Sequence, residues 1–454
     1  MRKCKYGQYD ETSKASILSY ALLLLNKSLF DLYAEEIEEE TRDNVGKGYL
    51  GQLVEKFHFN YEPNEKPIPD FPKANLELKT TPLKIVRRGY VSKERLVLNM
   101  IDYFKVAEET FDNSSFLRKN SSLLLMFYLF ERGEVYKQIF KLIKLWEIPK
   151  SDYQVIKEDW EKIAMMVKEG KAEDISGGDT FYLEAARKGS GKGKDLTKQP
   201  YSKILANRRA FAFKSRYVNE IIKADGSLEN VLDEEFVRSK KTIEQYIVDK
   251  FRPYFGKSFS ELERIFKLSY SEKKKDKASV ISKAILGVPQ NKRIAEFEKA
   301  NIQMKTIPLS VNNLVKESMS FSRIYYKKIV NEKWFNSDFF NNVVDKKFFF
   351  VIFKDNEQGD KILEKVMFWN MPTEVREIAK EYWLDIKKKV MNNDTTNFWK
   401  ISDDKIFHVR PKARNSLDTT TLRDGTEAPK LGYWINSKYI QSVINEHHGE
   451  TYNT

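Results

Sequence analysis

Hydrophobic and polar positions along the chain follow two different periods. Apolar residues between Gly48 and Phe59 recur at the spacing of one helix face, which predicts a short amphipathic helix there. Residues alternate over Asn75–Thr80, and this alternation favours a strand. The continuous apolar runs Leu123–Phe130 and Phe348–Phe353 are typical of central strands covered on both faces. Together these patterns predict a mixed α/β fold with a sheet in each half of the chain.

The chain also repeats itself. Three segments of the first half return in the same order in the second half, at nearly constant separation: Ala74–Leu83 as Ala300–Leu309, Ala210–Val218 as Gly432–Ile440, and more weakly Asn26–Leu29 as Gly256–Phe259. Collinear echoes of this kind are the signature of a repeated structural unit. We therefore predict two tandem copies of one fold, with a joint near residues 224–227.

Composition restricts the class of protein. The 79 Lys and Arg residues exceed the 66 Asp and Glu residues, which gives 454 residues a net charge of +13 and a basic exterior. One cysteine and four histidines cannot build a Cys/His zinc site, a disulfide framework or a Cys/His catalytic pair. The longest apolar run, Ile17–Leu25, is far shorter than the roughly 20 residues that span a bilayer. The sequence start lacks the pattern of a secretory signal, so we expect a cytoplasmic protein without a membrane partner.

Candidate chemistry lies on the predicted strand at residues 75–80. Glu77 and Lys79 project from the same face of this strand, and Asp70 precedes them across a turn that contains Pro72. Two carboxylates meeting at a strand end can hold Mg²⁺ and leave coordination positions open for water and a phosphate oxygen. The other interpretation of the same spacing is a solvated strand face with an ordinary Glu and Lys pair.

A family resemblance adds to this local pattern. Lys47–Glu55, followed by Asp70 and Glu77-Leu78-Lys79, resembles the signature of the MutH-like endonucleases, a branch of the PD-(D/E)XK nuclease fold. The likeness extends through Lys93–Asn99, Phe116–Lys119, Gln199–Ser202, Arg209–Ser215 and His408–Ala413. It implies two tandem MutH-like restriction-endonuclease-fold domains, each a central mixed sheet flanked by helices. Residues 1–225 would form the catalytic domain, and residues 226–454 a DNA-binding effector domain without an intact active site.

The resemblance also implies roles for individual residues. The implied metal ligands for Mg²⁺ are Glu55, Asp70 and Glu77, with Lys79 as the catalytic lysine and Lys119 near the scissile phosphate. The implied DNA contacts are Lys188, Lys214 and Tyr217 in the first copy and Arg410, Lys412 and Tyr439 in the second. The first copy departs from the family's Arg-Pro-Lys recognition loop, because it has Ala186-Arg187-Lys188 there and Ala212 in place of a nearby aromatic residue.

The implied function is that of a type II restriction endonuclease, which hydrolyses double-stranded DNA at 5′-GATC-3′ with Mg²⁺. Its two-copy layout resembles that of the two-domain restriction enzymes that cut at GATC. The expected partner is duplex DNA with two GATC sites, bound by a monomer that forms a dimer or a looped complex on DNA. Two alternatives remain open: a non-catalytic, sequence-specific DNA-binding protein, and a MutH-like mismatch-repair nicking endonuclease.

The second copy departs from the first at the predicted metal site. Gln303 and Lys305 stand where the first copy has Glu77 and Lys79. Glu296 aligns with Asp70, and the position of Glu55 falls near Ala284, so at most one of three carboxylates survives. A neutral amide cannot supply the charge that a hard cation requires. Because the second copy keeps Val409-Arg410-Pro411-Lys412, we expect it to bind a second GATC duplex as an allosteric effector; the alternative is a decayed copy that only covers apolar surface.

Overall fold

The computed structural model describes residues 1–40, 48–63, 68–86, 89–189, 195–223, 228–229, 231–232, 234–239, 241–268, 276–415, 417–422 and 424–446. Two compact units divide the chain: Met1–Gly226 with Glu298–Ala300, and Ser227–Phe297 with Asn301–Thr454. The joint predicted at residues 224–227 lies outside the described residues, as does Lys47 at the start of the quoted motif. No helix in the described part of the chain is both long and apolar enough to cross a membrane.

The first half of the chain folds into eleven strands and seven helices within the described residues. The strands are β1 (Arg2–Cys4), β2 (Gly7–Tyr9), β3 (Glu77–Val86), β4 (Gly89–Ser92), β5 (Leu96–Met100), β6 (Ser122–Leu129), β7 (Phe140–Glu147), β8 (Leu183–Arg187), β9 (Leu196–Gln199), β10 (Ser202–Asn207) and β11 (Arg209–Phe213). The helices are α1 (Lys14–Ala21), α2 (Phe30–Glu40), α3 (Tyr49–Leu53), α4 (Tyr103–Glu108), α5 (Ser115–Asn120), α6 (Lys150–Lys168) and α7 (Ser215–Ile222).

The main sheet of the first unit has the strand order β4-β3-β6-β7. Strand β3 runs parallel to β6, with Glu77 opposite Leu123, and the other neighbours are antiparallel. Seven successive residues of β6 are buried, which confirms the prediction of a central strand covered on both faces. The strand predicted at residues 75–80 begins two residues later, because Asn75 adopts a left-handed backbone conformation with φ of 47°.

The second half of the chain has ten strands and eight helices among its described residues. The strands are β12 (Leu228–Glu229), β13 (Arg293–Ile294), β14 (Gln303–Leu309), β15 (Met319–Arg323), β16 (Lys347–Asp355), β17 (Lys361–Asn370), β18 (Phe407–Pro411), β19 (Thr419–Thr421), β20 (Glu427–Pro429) and β21 (Leu431–Ile435). The helices are α8 (Glu234–Ser239), α9 (Ile243–Phe251), α10 (Phe259–Ile265), α11 (Lys277–Ile285), α12 (Ala295–Ala300), α13 (Tyr326–Ile329), α14 (Thr373–Met391) and α15 (Ser437–Glu446).

The second unit repeats the architecture of the first. Its main sheet has the order β14-β16-β17, in which β14 is parallel to β16 as β3 is to β6. Helices α6 and α14, of 19 residues each, follow β7 and β17. Asn301 precedes β14 with φ of 57°, as Asn75 precedes β3. A smaller sheet, β5-β11-β8 in the first unit, corresponds to β15-β21-β18 in the second.

Backbone hydrogen bonds show that the weakest sequence repeat, Asn26–Leu29 with Gly256–Phe259, is also repeated in the structure. In the first unit a pair of bonds ties the segment after α1 to β7, and the same pair ties the segment after α9 to β17. The donors and acceptors are Asn26 N to Phe140 O and Phe140 N to Lys27 O, then Gly256 N to Leu363 O and Leu363 N to Lys257 O. The prediction of two tandem copies of one mixed α/β fold is therefore confirmed.

Candidate active site

A tight turn before β3 brings two predicted site residues against each other. Phe71 and Leu76 exchange backbone hydrogen bonds, and this folds Asp70 back over the first residues of the strand. The backbone N–H of Asp70 donates to Oε2 of Glu77 over 3.1 Å. In return, the backbone N–H of Leu78 donates to Oδ2 of Asp70 over 2.9 Å. Each carboxylate is thus fixed by the backbone beside the other.

The carboxylate of Glu77 is compensated by two ammonium groups. Glu77 is only 1 % exposed, and an ionised carboxylate that is buried this deeply requires charged or hydrogen-bonding partners. Lys79 donates from Nζ to Oε1 of Glu77 over 2.5 Å, and Nζ of Lys119, on α5, lies 3.4 Å from the same oxygen. Three of the predicted residues therefore form one buried charge group.

Glu55 reaches this group from the helical segment predicted at residues 48–59. That segment is α3 followed by a wider π-helical turn over Val54–His58. Gly51 permits the close packing of α3 on β3, because a Cβ there would lie 3.2 Å from Oγ1 of Thr80. Burial, and next the charge of Asp70, raise the pKa of Glu55 to about 8, although Lys79 and Lys119 oppose this shift.

When its three acids are ionised, the site carries more negative charge than its two lysines offset. Burial, and then the nearby carboxylate of Glu77, raise the pKa of Asp70 to about 7. Three ionised acids would exceed the two ammonium groups, and this excess charge is relieved either by protons, as the raised pKa values of Asp70 and Glu55 indicate, or by a further cation. All the acidic donors are oxygen atoms, which suits a hard divalent cation such as Mg²⁺. The residues present thus fit the metal ion that the sequence implies.

The three carboxylates are not arranged as a finished ligand set. Among the described residues, no three Asp, Glu, His or Cys side chains lie together in a way that could hold a metal ion. The ammonium groups of Lys79 and Lys119 lie against Glu77 instead. Metal binding would therefore require the Glu77 carboxylate to exchange at least part of this ammonium contact for the cation.

Tyr61 is a neighbour of the site that sequence reasoning missed. It follows the turn that carries Glu55, and its N–H donates to the Glu55 carbonyl over 3.1 Å. Its hydroxyl is buried and has no hydrogen-bond partner in the part of the chain that the structure describes. Burial, and next the charges of Asp70 and Glu55, raise its pKa. Only its position six residues after Glu55 could have pointed to it in the sequence.

Two predicted DNA contacts, Lys214 and Tyr217, have side chains that are buried in the first unit. Lys214 is 8 % exposed and donates from Nζ to the carbonyls of Gly177 and Thr180, over 2.6 Å in each case. Tyr217 is 1 % exposed, and its hydroxyl donates to Oδ2 of Asp152 over 2.9 Å. Because internal polar atoms already bind both side chains, neither is available to a duplex in this conformation.

The other predicted DNA contacts differ in accessibility. Lys188 directly follows β8 and is partly exposed. Arg410, on β18, is exposed, and its guanidinium carbon lies 5.0 Å from the ring centre of Trp434. Lys412 is partly buried and donates from Nζ to the carbonyl of Phe321. Tyr439 is partly buried and packs edge-on against Trp369, with ring centres 6.4 Å apart.

The described residues of the second unit do not assemble the acidic group at the equivalent position. Gln303 begins β14, and Lys305 donates from Nζ to the carbonyl of Ser320 over 2.8 Å. Glu296, the one carboxylate expected to survive, is 2 % exposed and accepts hydrogen bonds from the backbone N–H groups of Val231 and Leu232. Its oxygens thus bind backbone amides, so it is not free for a cation.

Comparisons with known proteins agree with this architecture. A family model described as the DNA mismatch repair enzyme MutH matches residues 59–159 and 287–381, one segment in each unit. The type II restriction enzyme Sau3AI of Staphylococcus aureus is 32% identical over 96% of this chain and 99% of its own length. The DNA mismatch repair proteins MutH of Vibrio campbellii and Vibrio parahaemolyticus are each 26% identical over 47% of this chain and 94% of their own length. With both units matched and one relative aligned over 96% of this chain, the chain belongs to the MutH family and is homologous to a restriction endonuclease.

Proposed function

We propose that this protein is a type II restriction endonuclease that hydrolyses double-stranded DNA at 5′-GATC-3′ in the cytoplasm, with Mg²⁺ as cofactor. The observation that carries the proposal is the buried Glu77 carboxylate, held between the ammonium groups of Lys79 and Lys119 and beside Asp70. The end-to-end likeness to a restriction enzyme supports the reaction class, and the resemblance in sequence supports the GATC target.

The residues of the first unit divide the chemistry between them. Asp70, Glu77 and Glu55 would hold Mg²⁺, which when bound supplies positive charge at the scissile phosphate and a water of lowered pKa. Lys79 lies close enough to Glu77 to orient the attacking water beside the cation. Lys119 brings a second ammonium group to the same carboxylate, where it can neutralise charge on the phosphate oxygens.

A purely DNA-binding protein is the less favourable alternative. A binding protein gains nothing from a carboxylate that is 1 % exposed, because desolvating its charge is costly and it repels phosphate. A mismatch-repair nickase is disfavoured by chain length, since the MutH relatives match only 47% of this chain.

For the second unit we propose DNA binding without cleavage, in the role of an allosteric effector. Gln303 and the engaged Glu296 leave it without free metal-binding carboxylates at the position of the first-unit site. Arg410 is exposed on β18, where a base or phosphate can reach it. A duplex bound here would be a second GATC site on the same or another DNA molecule.

Plasmids with one or two GATC sites test both parts of the proposal. We expect Mg²⁺-dependent cleavage whose sequenced ends map to GATC, and faster cleavage of the two-site plasmid. Asp70→Ala should abolish cutting of both plasmids, whereas Arg410→Ala should remove only the advantage of two sites. Cleavage by Asp70→Ala would contradict the assigned site, and equal rates on both plasmids would contradict the effector role.

A further inference from the structure

The smaller sheet of the second unit carries a row of cationic side chains. Gly432, on β21, pairs with Arg323 of β15 on one side and with Arg410 of β18 on the other. Directly paired residues of antiparallel strands project from the same face of a sheet. Lys412 crosses this face, since a Cβ on Gly432 would lie 2.8 Å from its Cδ. The missing side chain at Gly432 thus makes room for a third cation between two arginines.

Lys305 joins this row from β14, an outer strand of the main sheet. Its Nζ donates to the carbonyl of Ser320, and the Nζ of Lys412 donates to the next carbonyl, that of Phe321. Burial, then the charges of Lys412 and Lys346, lower the pKa of Lys305 to about 8. The two lysines are therefore electrostatic neighbours as well as neighbours along β15.

In the part of the chain that the structure describes, this cationic group has no acidic counterpart. Among the described residues, none of Lys305, Arg323, Arg410 and Lys412 forms an ion pair with a carboxylate. The indole Nε1 of Trp434, two residues from Gly432 on the same strand, is buried and has no acceptor there. Unopposed charges of one sign cost stability. Cations and a spare N–H donor are what an anionic oxygen ligand would satisfy.

The first unit lacks the same charges at the corresponding places. Its paired row contains Ala210 between Met100 and Ala186, where the second unit has Gly432 between its two arginines. Its catalytic lysine, Lys79, is neutralised by Glu77, whereas Lys305 has only carbonyl oxygen. The cationic row is therefore a property of the second copy and not of the fold.

We propose that Lys305, Arg323 and Lys412 form a metal-free binding site for one backbone phosphate of duplex DNA. This inference rests on the proposal that the second unit binds DNA, and it names the chemistry of that binding. Where the first unit uses carboxylates and a cation to act on a phosphodiester, the second presents ammonium and guanidinium groups that hold one without hydrolysing it. The exposed Arg410, in the same row, extends the cationic surface along the duplex.

Native mass spectrometry of the full-length chain with a GATC duplex in EDTA tests the site, because it resolves chains with one and with two bound duplexes. The binding constant of the second duplex is measured across ammonium acetate concentrations. For Lys305→Gln and for Arg323→Gln we expect weaker second binding, and a slope of log affinity against log salt that is smaller by about 0.9. First binding should be unchanged. Lys361→Gln, which removes a cation paired with Asp355 at the opposite end of the main sheet, should change neither constant.

The outcomes separate this site from the broader proposal. If Arg410→Ala weakens second binding while Lys305→Gln and Arg323→Gln do not, the duplex binds elsewhere on the unit and the phosphate site is refuted. If the wild-type chain does not bind a second duplex, both proposals fail together. Inorganic phosphate added at constant ionic strength should weaken second binding only slightly; if it displaces the second duplex completely, the site is one for free phosphate. If Lys305→Gln lowers the midpoint of thermal unfolding and weakens binding of the first and the second duplex equally, Lys305 has a structural role and the proposal is overturned.

Discussion

Under the proposed function, a change at the single residue Glu77 should separate cutting from binding. In Glu77→Gln the metal loses its most enclosed ligand, so we expect cleavage to fall by about a thousandfold or more. The same change leaves Lys79 and Lys119 without their shared carboxylate, so duplex affinity in EDTA should rise. Plasmid cleavage and fluorescence anisotropy measure the two effects. The matched control is Glu147→Gln, at an exposed position, which removes the ion-pair partner of Lys14. If Glu77→Gln instead binds the duplex more weakly in EDTA, the assigned balance of charge around Glu77 is contradicted.

If Glu55 and Asp70 ligate the metal as proposed, their raised pKa values should set the pH dependence of metal binding. Their pKa values are raised to about 8 and about 7, so near neutral pH a fraction of each is protonated and cannot ligate a cation. Metal binding should therefore release protons and should strengthen as pH rises from 6 to 8. Calorimetric titration with Mg²⁺ in two buffers of different ionisation enthalpy counts these protons. Asp70→Asn should reduce the number released; an equal count in wild type and variant would show that Asp70 does not titrate with the metal.

At the scale of elements, helix α7 is held to α6 by a tyrosine that sequence reasoning assigned to DNA. Tyr217→Phe should cost about 1–3 kcal/mol in the free energy of unfolding, because it strips a buried hydrogen bond from Asp152. Duplex affinity should stay unchanged. Urea unfolding and anisotropy give both values. Tyr153→Phe, which removes a bond to the exposed Asp112, is the control and should cost less; a variant of Tyr217 with normal stability and weakened binding would restore the DNA role.

Strands and helices that follow from a local sequence pattern could be predicted, whereas side-chain contacts between residues far apart in the chain could not. Alternation and apolar runs locate β3, β6 and β16 within a few residues, and the repeat locates their partners. The carboxylate group follows from spacing along one strand and its turn. Lys214 instead binds carbonyls more than thirty residues away, and Glu296 binds amides at Val231 and Leu232. Nothing in the local sequence distinguishes a lysine or glutamate that binds backbone from one that faces a ligand.

At the scale of the whole molecule, one chain carries two copies of a fold but, in its described residues, one acidic site. If only the first copy cuts, as proposed, such a chain cuts one strand per encounter, and cleavage of both strands needs a second chain or a second encounter. We expect nicked plasmid to accumulate at low enzyme concentration, and the rate of double-strand cleavage to rise more steeply than in proportion to enzyme concentration. Agarose gels of a plasmid time course measure both. Direct conversion to linear DNA at every concentration, with a rate proportional to enzyme, would contradict this expectation.

If the second copy binds DNA without cutting it, as proposed, the engagement of Glu296 would make that loss of cleavage hard to reverse. Changing Gln303 back to glutamate returns one acid to β14, but the acid equivalent to Asp70 now holds the amides of Val231 and Leu232, and Ala284 lies in the region aligned with Glu55. Withdrawing Glu296 to bind a cation would strand two buried N–H donors, at a cost of about 1–3 kcal/mol each. A single reverting mutation would therefore add charge without adding catalysis. The proposed non-cutting form would thus be held by a hydrogen-bond pattern that selection on DNA cleavage alone could not undo one step at a time.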